Sequence, residues 1–454
     1  MTTTATIVDE VEKPRPKVHR ALLAQIRPTG QSPWHLTHAH SHPPLRPDQV
    51  LIKTSYVALN PFDWQGVAFK YGIGEGAKVM GRDGAGKIVG VGEDVKNFKL
   101  GDRVWFCANS SASHTGAFQE YSVHFAAEVG HTPDHLSDQE AATLGTGLIT
   151  AGVALFRTLG IPLEALKGDG RTAREKNAAW MLIWGGAGIT GVYLIQLARL
   201  LGYRIICSAS PVNHEYIRSL GADVVLDRWS DSNELLKQIR EVSKDDVSRV
   251  RIAVDNVGST TATLCQEVLR GSRTWREQAN FETHNDDTAP GRLVPLAGSP
   301  KVAIDETDAV RKVDSLRISF STTFYGHPDF SRALLERFDD LLKKKKLSPA
   351  RSQLVPGGLY GIEKGLDDLR HGRVQGGFKL VARLADTPTE INITGKRERA
   401  ADEGEGEAEH VSDKRVREDQ GEASANPIKR VKKSISGKQV ESPVESGKHS
   451  VIKV

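Results

Sequence analysis

Cysteine is scarce in this chain. Three occur in 454 residues, Cys107, Cys207 and Cys265, widely spaced and without a CxxC pair. That excludes a disulfide framework and suits a reducing compartment. No apolar run approaches the roughly 20 residues a membrane-spanning helix needs, so no membrane partner is expected. The opening MTTTATIVDEVEKPRPK lacks the apolar stretch of a secretory signal. Opposite charges nearly cancel, 61 Lys and Arg against 57 Asp and Glu, and a net +4 is too small to imply nucleic-acid binding by a folded domain. Hydrophobic residues make up 39%, below the globular norm, and the deficit is concentrated at one end. Residues 386–454 contain no Phe, Trp or Tyr. Such a stretch cannot bury enough apolar surface to offset its chain entropy and is expected to be disordered.

What remains reads as an α/β protein in two parts. Residues 1–17 are polar and proline-containing, a flexible arm. From Val18 to about Val129 short strands are expected at Ala21–Ile26, Val50–Leu59, Ala85–Val91, Asp102–Phe106 and Phe118–Val123, punctuated by Gly and Pro turns. Short strands at that spacing imply an antiparallel, barrel-like domain. The pattern changes at Ser137-Asp-Gln-Glu140, a capping box, after which a helical stretch runs to about Leu159. Strands at Trp180–Trp184, Tyr203–Ser208, Val224–Leu226 and Ile252–Val254 then alternate with helices, the signature of a parallel, doubly wound sheet. Residues 271–291 read as a polar insertion, Asp329–Lys346 as a long helix and Phe378–Leu384 as a closing strand.

Directly after the strand Trp180–Trp184 comes Gly186-Ala187-Gly188-Ile189-Thr190-Gly191, opening a helix. In that context GxGxxG marks a dinucleotide site. The first glycine permits the tight turn, the second lets backbone N–H groups reach the pyrophosphate, and the third lets helix and strand pack closely. An NAD site has an acid about 20 residues on to hold the ribose 2′-hydroxyl. Here the second strand runs into Ser210-Pro211-Val212-Asn213, and no acid occurs before Glu215. Hydroxyl and amide donors suit a 2′-phosphate, so NADPH is favoured, with Arg228 available for a charge-assisted contact. The same four residues also serve as a turn and helix cap, and the two readings are compatible.

Together these segments resemble the medium-chain dehydrogenases/reductases, closest to the fungal trans-acting enoyl reductases and quinone oxidoreductase-like proteins. The resemblance is carried by Val57-Ala-Leu-Asn-Pro-Phe-Asp-Trp64, Gly81-Arg-Asp-Gly-Ala-Gly86, Gly101-Asp-Arg-Val104, Gly116-Ala-Phe-Gln-Glu-Tyr121, Gly145-Thr-Gly-Leu-Ile-Thr-Ala-Gly152 and Leu220-Gly-Ala-Asp223. It covers about residues 18–385. It implies a GroES-like catalytic barrel over 18–140 completed by 350–385, and a Rossmann NADPH-binding domain over 141–349. By the same resemblance Phe62, Asp63, Trp64 and Gln65 border the nicotinamide, Leu296 sits beside it, and Val374 and Gln375 make a late cofactor contact. Asp63 and Trp64 read equally well as barrel packing. Thr146 is expected to hydrogen-bond the substrate carbonyl or the nicotinamide amide. Gln65 stands where many relatives carry Lys and is expected to donate to a developing enolate oxygen.

The zinc branch of the superfamily carries a His-Glu pair near Gly81, an earlier Cys ligand and a four-Cys lobe. Here Arg82-Asp83 occupies the first place, and three scattered Cys cannot build the lobe. His35, His38, His40 and His42 cluster in a polar, proline-rich stretch and read as solvated loop histidines. No metal is therefore expected. The implied function is reduction of an activated C=C bond by NADPH, the substrate being a small α,β-unsaturated carbonyl, free or carrier-bound. The alternatives are a quinone reductase and a catalytically weak NADPH-binding regulatory or nuclear protein. The tail gives the last its weight. Lys429-Arg430-Val-Lys432-Lys433 resembles a nuclear-import or acidic-partner signal, and reads equally as a solvated polyampholyte. Cytoplasmic residence, with nuclear import as the variant, and a monomer or homodimer complete these expectations.

Overall fold

A computed structural model of the chain describes residues 17–389, except 29, 43, 71–72, 74–75, 110–113, 167–177, 244–249, 272–289, 302–308 and 310. The N-terminal arm before residue 17, most of the polar insertion and the charged tail from 390 lie outside the described residues.

The seven-stranded sheet is built from β3 (Gln49–Ala58), β5 (Asp83–Val91), β6 (Arg103–Cys107), β7 (Tyr121–Phe125), β8 (Val129–His131), β15 (Arg351–Val355) and β16 (Phe378–Arg383). Its order is β15-β16-β3-β5-β6-β8, with β7 also paired to β3. Two strands from residues 351–383 thus complete a sheet begun near residue 50. β16 runs antiparallel to β3 with Val381 opposite Ala58, and β15 lies parallel to β16. A smaller sheet, β1 (Val18–Ala24), β2 (Trp34–Ser41) and β4 (Lys78–Val79), covers one flank in the order β2-β1-β4.

β2 corrects the loop expected for the histidines. Strict alternation is absent from WHLTHAHS, yet its backbone pairs antiparallel with β1 from Trp34–Ala24 to Ser41–Val18. It is an edge strand, so polar side chains are tolerated on both faces and the hydrophobic period that would reveal it is missing.

The second sheet is wholly parallel. It contains β9 (Trp180–Trp184), β10 (Arg204–Ala209), β11 (Val224–Asp227), β12 (Val250–Asp255), β13 (Gly291–Pro295) and β14 (Val313–Ser315). The order β11-β10-β9-β12-β13-β14 reverses direction at β9. All five residues of β9, Trp-Met-Leu-Ile-Trp, are buried, as a central strand covered on both faces requires. The order reversal opens a crevice beyond the carboxyl end of β9, where open α/β sheets bind ligands. The helix Ile189–Leu200 buries Val192, Tyr193, Leu194, Ile195 and Leu197 against one face. Helices Gly145–Gly152 and Pro328–Lys343 join that core through Leu148, Ile149, Leu334 and Phe338. Truncating any of these fully buried side chains to Ala would cost about 2–5 kcal/mol.

The capping box is formed: Ser137 Oγ accepts from the Glu140 N–H at 3.2 Å, and Glu140 Oε2 accepts from the Ser137 N–H at 2.8 Å. The helical stretch beyond it is broken into Asp138–Ala141, Gly145–Gly152 and a π-turn Val153–Thr158. The long helix stops at Lys343 rather than Lys346, with Lys345 in the left-handed region at φ 55°.

Candidate functional site

The glycine turn after β9 is tied down from β10. The Gly185 N–H donates to Ser208 Oγ at 3.0 Å, and the Gly186 N–H donates to Ser208 O at 2.8 Å. Gly188 caps the helix Ile189–Leu200 in extended conformation. At Gly191 an added Cβ would lie 2.5 Å from Gly185 O, so the first helical turn sits directly on the glycine backbone. The cradle therefore has the close approach and the twelve-residue helix start that a dinucleotide pyrophosphate requires, and its residues fit that group.

The turn expected to meet the adenosine ribose follows β10. Ser210 leads into the single turn Pro211–Asn213; Asn213 is buried, whereas Val212 is exposed. Asn213 Oδ1 accepts from Arg351 Nη2 at 3.2 Å. The Arg228 N–H donates to Ala209 O at 3.1 Å, bringing it beside the same turn, and its exposed guanidinium lies over the Trp229 ring. Across the crevice the Leu296 N–H donates to Asp255 O at 2.8 Å. The loop holding Val374 and Gln375 closes on the cradle, because the next N–H but one, that of Gly377, donates to Ala187 O at 2.6 Å. Val374 packs on the barrel core, and Gln375 is exposed.

The residues Phe62 to Gln65 share the helix Pro61–Ala68 but not one face. Phe62 lies under the Arg82 guanidinium, 4.2 Å from its ring centre. Arg82 also faces the Phe320 ring. Trp64 points the other way, against the barrel core and within 5.6 Å of the Arg370 guanidinium. Asp63 is fully buried and accepts from the Asn60 N–H at 2.8 Å. Burial pushes its carboxyl up to about 7. Gln65 is half-buried.

At the seam between the sheets lies a polar network that sequence reasoning missed. Asp83, wholly buried at the start of β5, has Oδ2 2.7 Å from Lys379 Nζ on β16. Its Oδ1 accepts from both the Thr146 N–H at 2.6 Å and the Thr146 hydroxyl at 2.5 Å. Lys379 also donates to Asn60 Oδ1. At Gly145 an added Cβ would fall 2.3 Å from Asp83 Oδ1, so the helix reaches the carboxylate only because that position lacks a side chain. Cys107 Sγ is 3.6 Å from the Thr146 hydroxyl, and Tyr325 donates to Ala108 O at 2.9 Å. Burial, reinforced by Asp83, pushes the Cys107 thiol up to about 11, so it stays protonated. The one available signal was Lys379 itself, a charge inside the apolar run Phe378–Leu384.

The histidines divide by exposure: His35 and His38 are exposed, whereas His40 and His42 lean on His19, with ring centres 5.2 and 4.6 Å away. Burial pulls His19 down to about 4. Among the described residues no three His, Cys, Asp or Glu side chains are arranged to hold a metal ion.

The alcohol dehydrogenase GroES-like domain family matches residues 46–134. A dehydrogenase of Monascus ruber is 31% identical over 373 residues, covering 77% of this chain and 96% of its own length. The chain belongs to the medium-chain dehydrogenase/reductase superfamily. Other superfamily relatives include a trans-enoyl reductase of Aspergillus niger, 31% identical over 375 residues, with 81% of this chain and 97% of the relative covered. The enoyl reductase component of the lovastatin nonaketide synthase of Aspergillus terreus is 29% identical over 361 residues, covering 75% and 91%. Among solved structures, an alcohol dehydrogenase superfamily protein from Novosphingobium aromaticivorans gives a TM-score of 0.62 at 20% identity, covering 80% of this chain and 99% of that one. The CurK enoyl reductase gives 0.59 at 20% identity, with the same coverage. The solved structures show the fold, a GroES-like domain with a parallel Rossmann-type sheet; membership of the superfamily makes the chain an oxidoreductase, and that fold implies a nicotinamide cofactor. No helix among the described residues is long and apolar enough to cross a membrane.

Proposed function

We propose that this protein is an NADPH-dependent, zinc-independent enoyl reductase acting on the C=C bond of an α,β-unsaturated carbonyl compound. The observation that carries the reading is the use of Asp83. In a position where the zinc branch places a metal-binding pair, this carboxylate is consumed by Lys379 and Thr146. A carboxylate already satisfied by an ammonium and two hydrogen bonds is a poor ligand, and the protonated Cys107 beside it is another. A bond conjugated to a carbonyl is already polarised and needs less Lewis-acid help than an alcohol. The names carried by the Aspergillus niger and Aspergillus terreus relatives support the same reaction class.

NADPH, when bound, supplies the hydride. Gly186, Ala187, Gly188 and Ile189 would hold its pyrophosphate, with Ser210 and Asn213 at the adenosine ribose. Thr146 gives its one hydroxyl proton to Asp83, so toward a ligand it can only accept. That suits the N–H of the nicotinamide carboxamide and disfavours a substrate carbonyl, which also only accepts. A candidate donor for a developing enolate oxygen is the amide of the half-buried Gln65, on the same helix as Phe62.

The test is NADPH oxidation by the full chain against enoyl thioesters, 2-alkenals and quinones, with NADH in parallel. Turnover of enoyl thioesters or alkenals with NADPH is expected. Turnover of quinones alone, or tight nucleotide binding with no turnover on any acceptor, would overturn the assignment.

A further inference from the structure

We propose that Arg351 selects the phosphorylated adenosine ribose, acting as a clip from the barrel onto the nucleotide-binding half. The assignment rests on the reading that the crevice takes NADPH. Arg351 opens β15, a strand of the barrel sheet, yet its side chain ends among residues that follow β10 of the parallel sheet. Its guanidinium carbon lies 3.8 Å from the ring centre of Tyr216 and 4.3 Å from that of Phe378. Two ring contacts restrict the guanidinium, and its N–H groups project from its edge. One edge donor, on Nη2, holds Asn213 Oδ1 at 3.2 Å. Another, the N–H of Nε, is buried without a hydrogen-bond partner.

A planar cation costs free energy to immobilise beside a turn and to leave with an orphaned donor. A phosphate offers what is missing: negative charge and acceptor oxygens matched to the guanidinium edge. The turn that Arg351 grips, Ser210 to Asn213, is the one whose lack of an acid favours a 2′-phosphate. Holding Asn213 by its carbonyl oxygen leaves the Asn213 amide N–H₂ as the end that donates. Arg351 thus both orients Asn213 and supplies charge. Arg228 is the weaker candidate, being exposed and stacked on the exposed Trp229. Because Arg351 belongs to the barrel and Asn213 to the other sheet, phosphate binding there would also tie the two halves together across the crevice.

The experiment measures binding by calorimetry on the full chain, using adenosine 2′,5′-bisphosphate and 5′-AMP as probes. It compares wild type, Arg351→Gln and Arg351→Lys, with thermal melting of each. Wild type is expected to prefer the bisphosphate. Arg351→Gln should weaken the bisphosphate by about 10- to 100-fold, the scale of a lost charged hydrogen bond, and 5′-AMP by less than about 3-fold. Arg351→Lys, which keeps charge but loses the fork, should fall between. Equal losses for both probes would make Arg351 only a structural clip and overturn the proposal. A wild type that prefers the bisphosphate, with that preference intact in Arg351→Gln, would overturn this assignment alone. A wild type that does not distinguish the probes would overturn the NADPH reading and this assignment with it.

Discussion

Replacing Lys379 by Met removes the cation from a carboxylate that has no access to water. Lys379 Nζ and Asp83 Oδ2 are 2.7 Å apart, and side-chain exposures are 3% and 0%. In the variant Asp83 keeps only the two hydrogen bonds from Thr146, so a buried charge is left uncompensated. Breaking one side of such a pair costs about 3–5 kcal/mol. For a folded unit of roughly 370 residues, an unfolding entropy of about 2.1 cal/mol/K per residue means about 0.8 kcal/mol per degree. The melting temperature should therefore fall by about 4–6 °C. The double variant Asp83→Asn with Lys379→Met leaves a neutral amide still able to accept from Thr146. It should recover at least about 2 kcal/mol of the loss, because the penalty comes from the orphaned charge. The assay is urea unfolding of wild type, both single variants and the double at pH 7, read as a double-mutant cycle. A Lys379→Met loss under about 1 kcal/mol, or a double variant as unstable as the two singles summed, would refute the claim that this pair holds the seam.

Gly191→Ala should weaken nicotinamide-nucleotide binding on the order of 10-fold or more, since its Cβ would press on Gly185 O and overpacking costs about 1–3 kcal/mol; a fluorescence titration with unchanged affinity would contradict the cradle. Asp63→Asn should flatten part of the pH dependence of stability. Burial raises the folded-state value of Asp63 to about 7 against 3.8 unfolded, so the native protein holds a proton that the unfolded chain releases. Stability attributable to this group is therefore present at low pH and lost as pH climbs from about 4 to about 7, at roughly 1.4 kcal/mol for each step of one in pH. The variant should match wild type near pH 4 and exceed it at pH 8 in urea melts, and parallel curves would refute this. Thr146→Ser should retain most turnover, whereas Thr146→Val should lose roughly 10-fold or more as the hydroxyl bridge to Asp83 disappears; equal activity in both would remove Thr146 from the site.

The segment 180–227 was nearly fully legible in the residues. β9 lies where the apolar run placed it, and β10, β11 and the helices between shift by about a residue, because apolar runs, glycine spacing and helix periodicity are local signals. β2 was not legible, since an edge strand of His and Thr has no hydrophobic period. Neither were β15 and the helix Gly358–Arg370. The latter carries glycines at 358, 361 and 365 that weaken its helical signal, although two of them pack against Val355 and its neighbours. Within the candidate site, the glycine turn after β9 and the Ser210–Asn213 turn were legible as local structure because each is a short contiguous motif.

By itself, then, the sequence determined the class of fold, the parallel sheet and the glycine-lined start of the helix Ile189–Leu200, all of which depend on neighbours a few positions apart. Only the tertiary structure decided that Lys379 meets Asp83, that Thr146 spends its proton on that carboxylate, and that Arg351 reaches Asn213 from 138 residues away. The first and last of these pairings arise because β15 and β16 return to close a sheet begun by β3. The return is driven by burial of Val355 on β15 and of Leu380, Val381 and Ala382 on β16, and it carries the charged residues along to partners that no local pattern specifies.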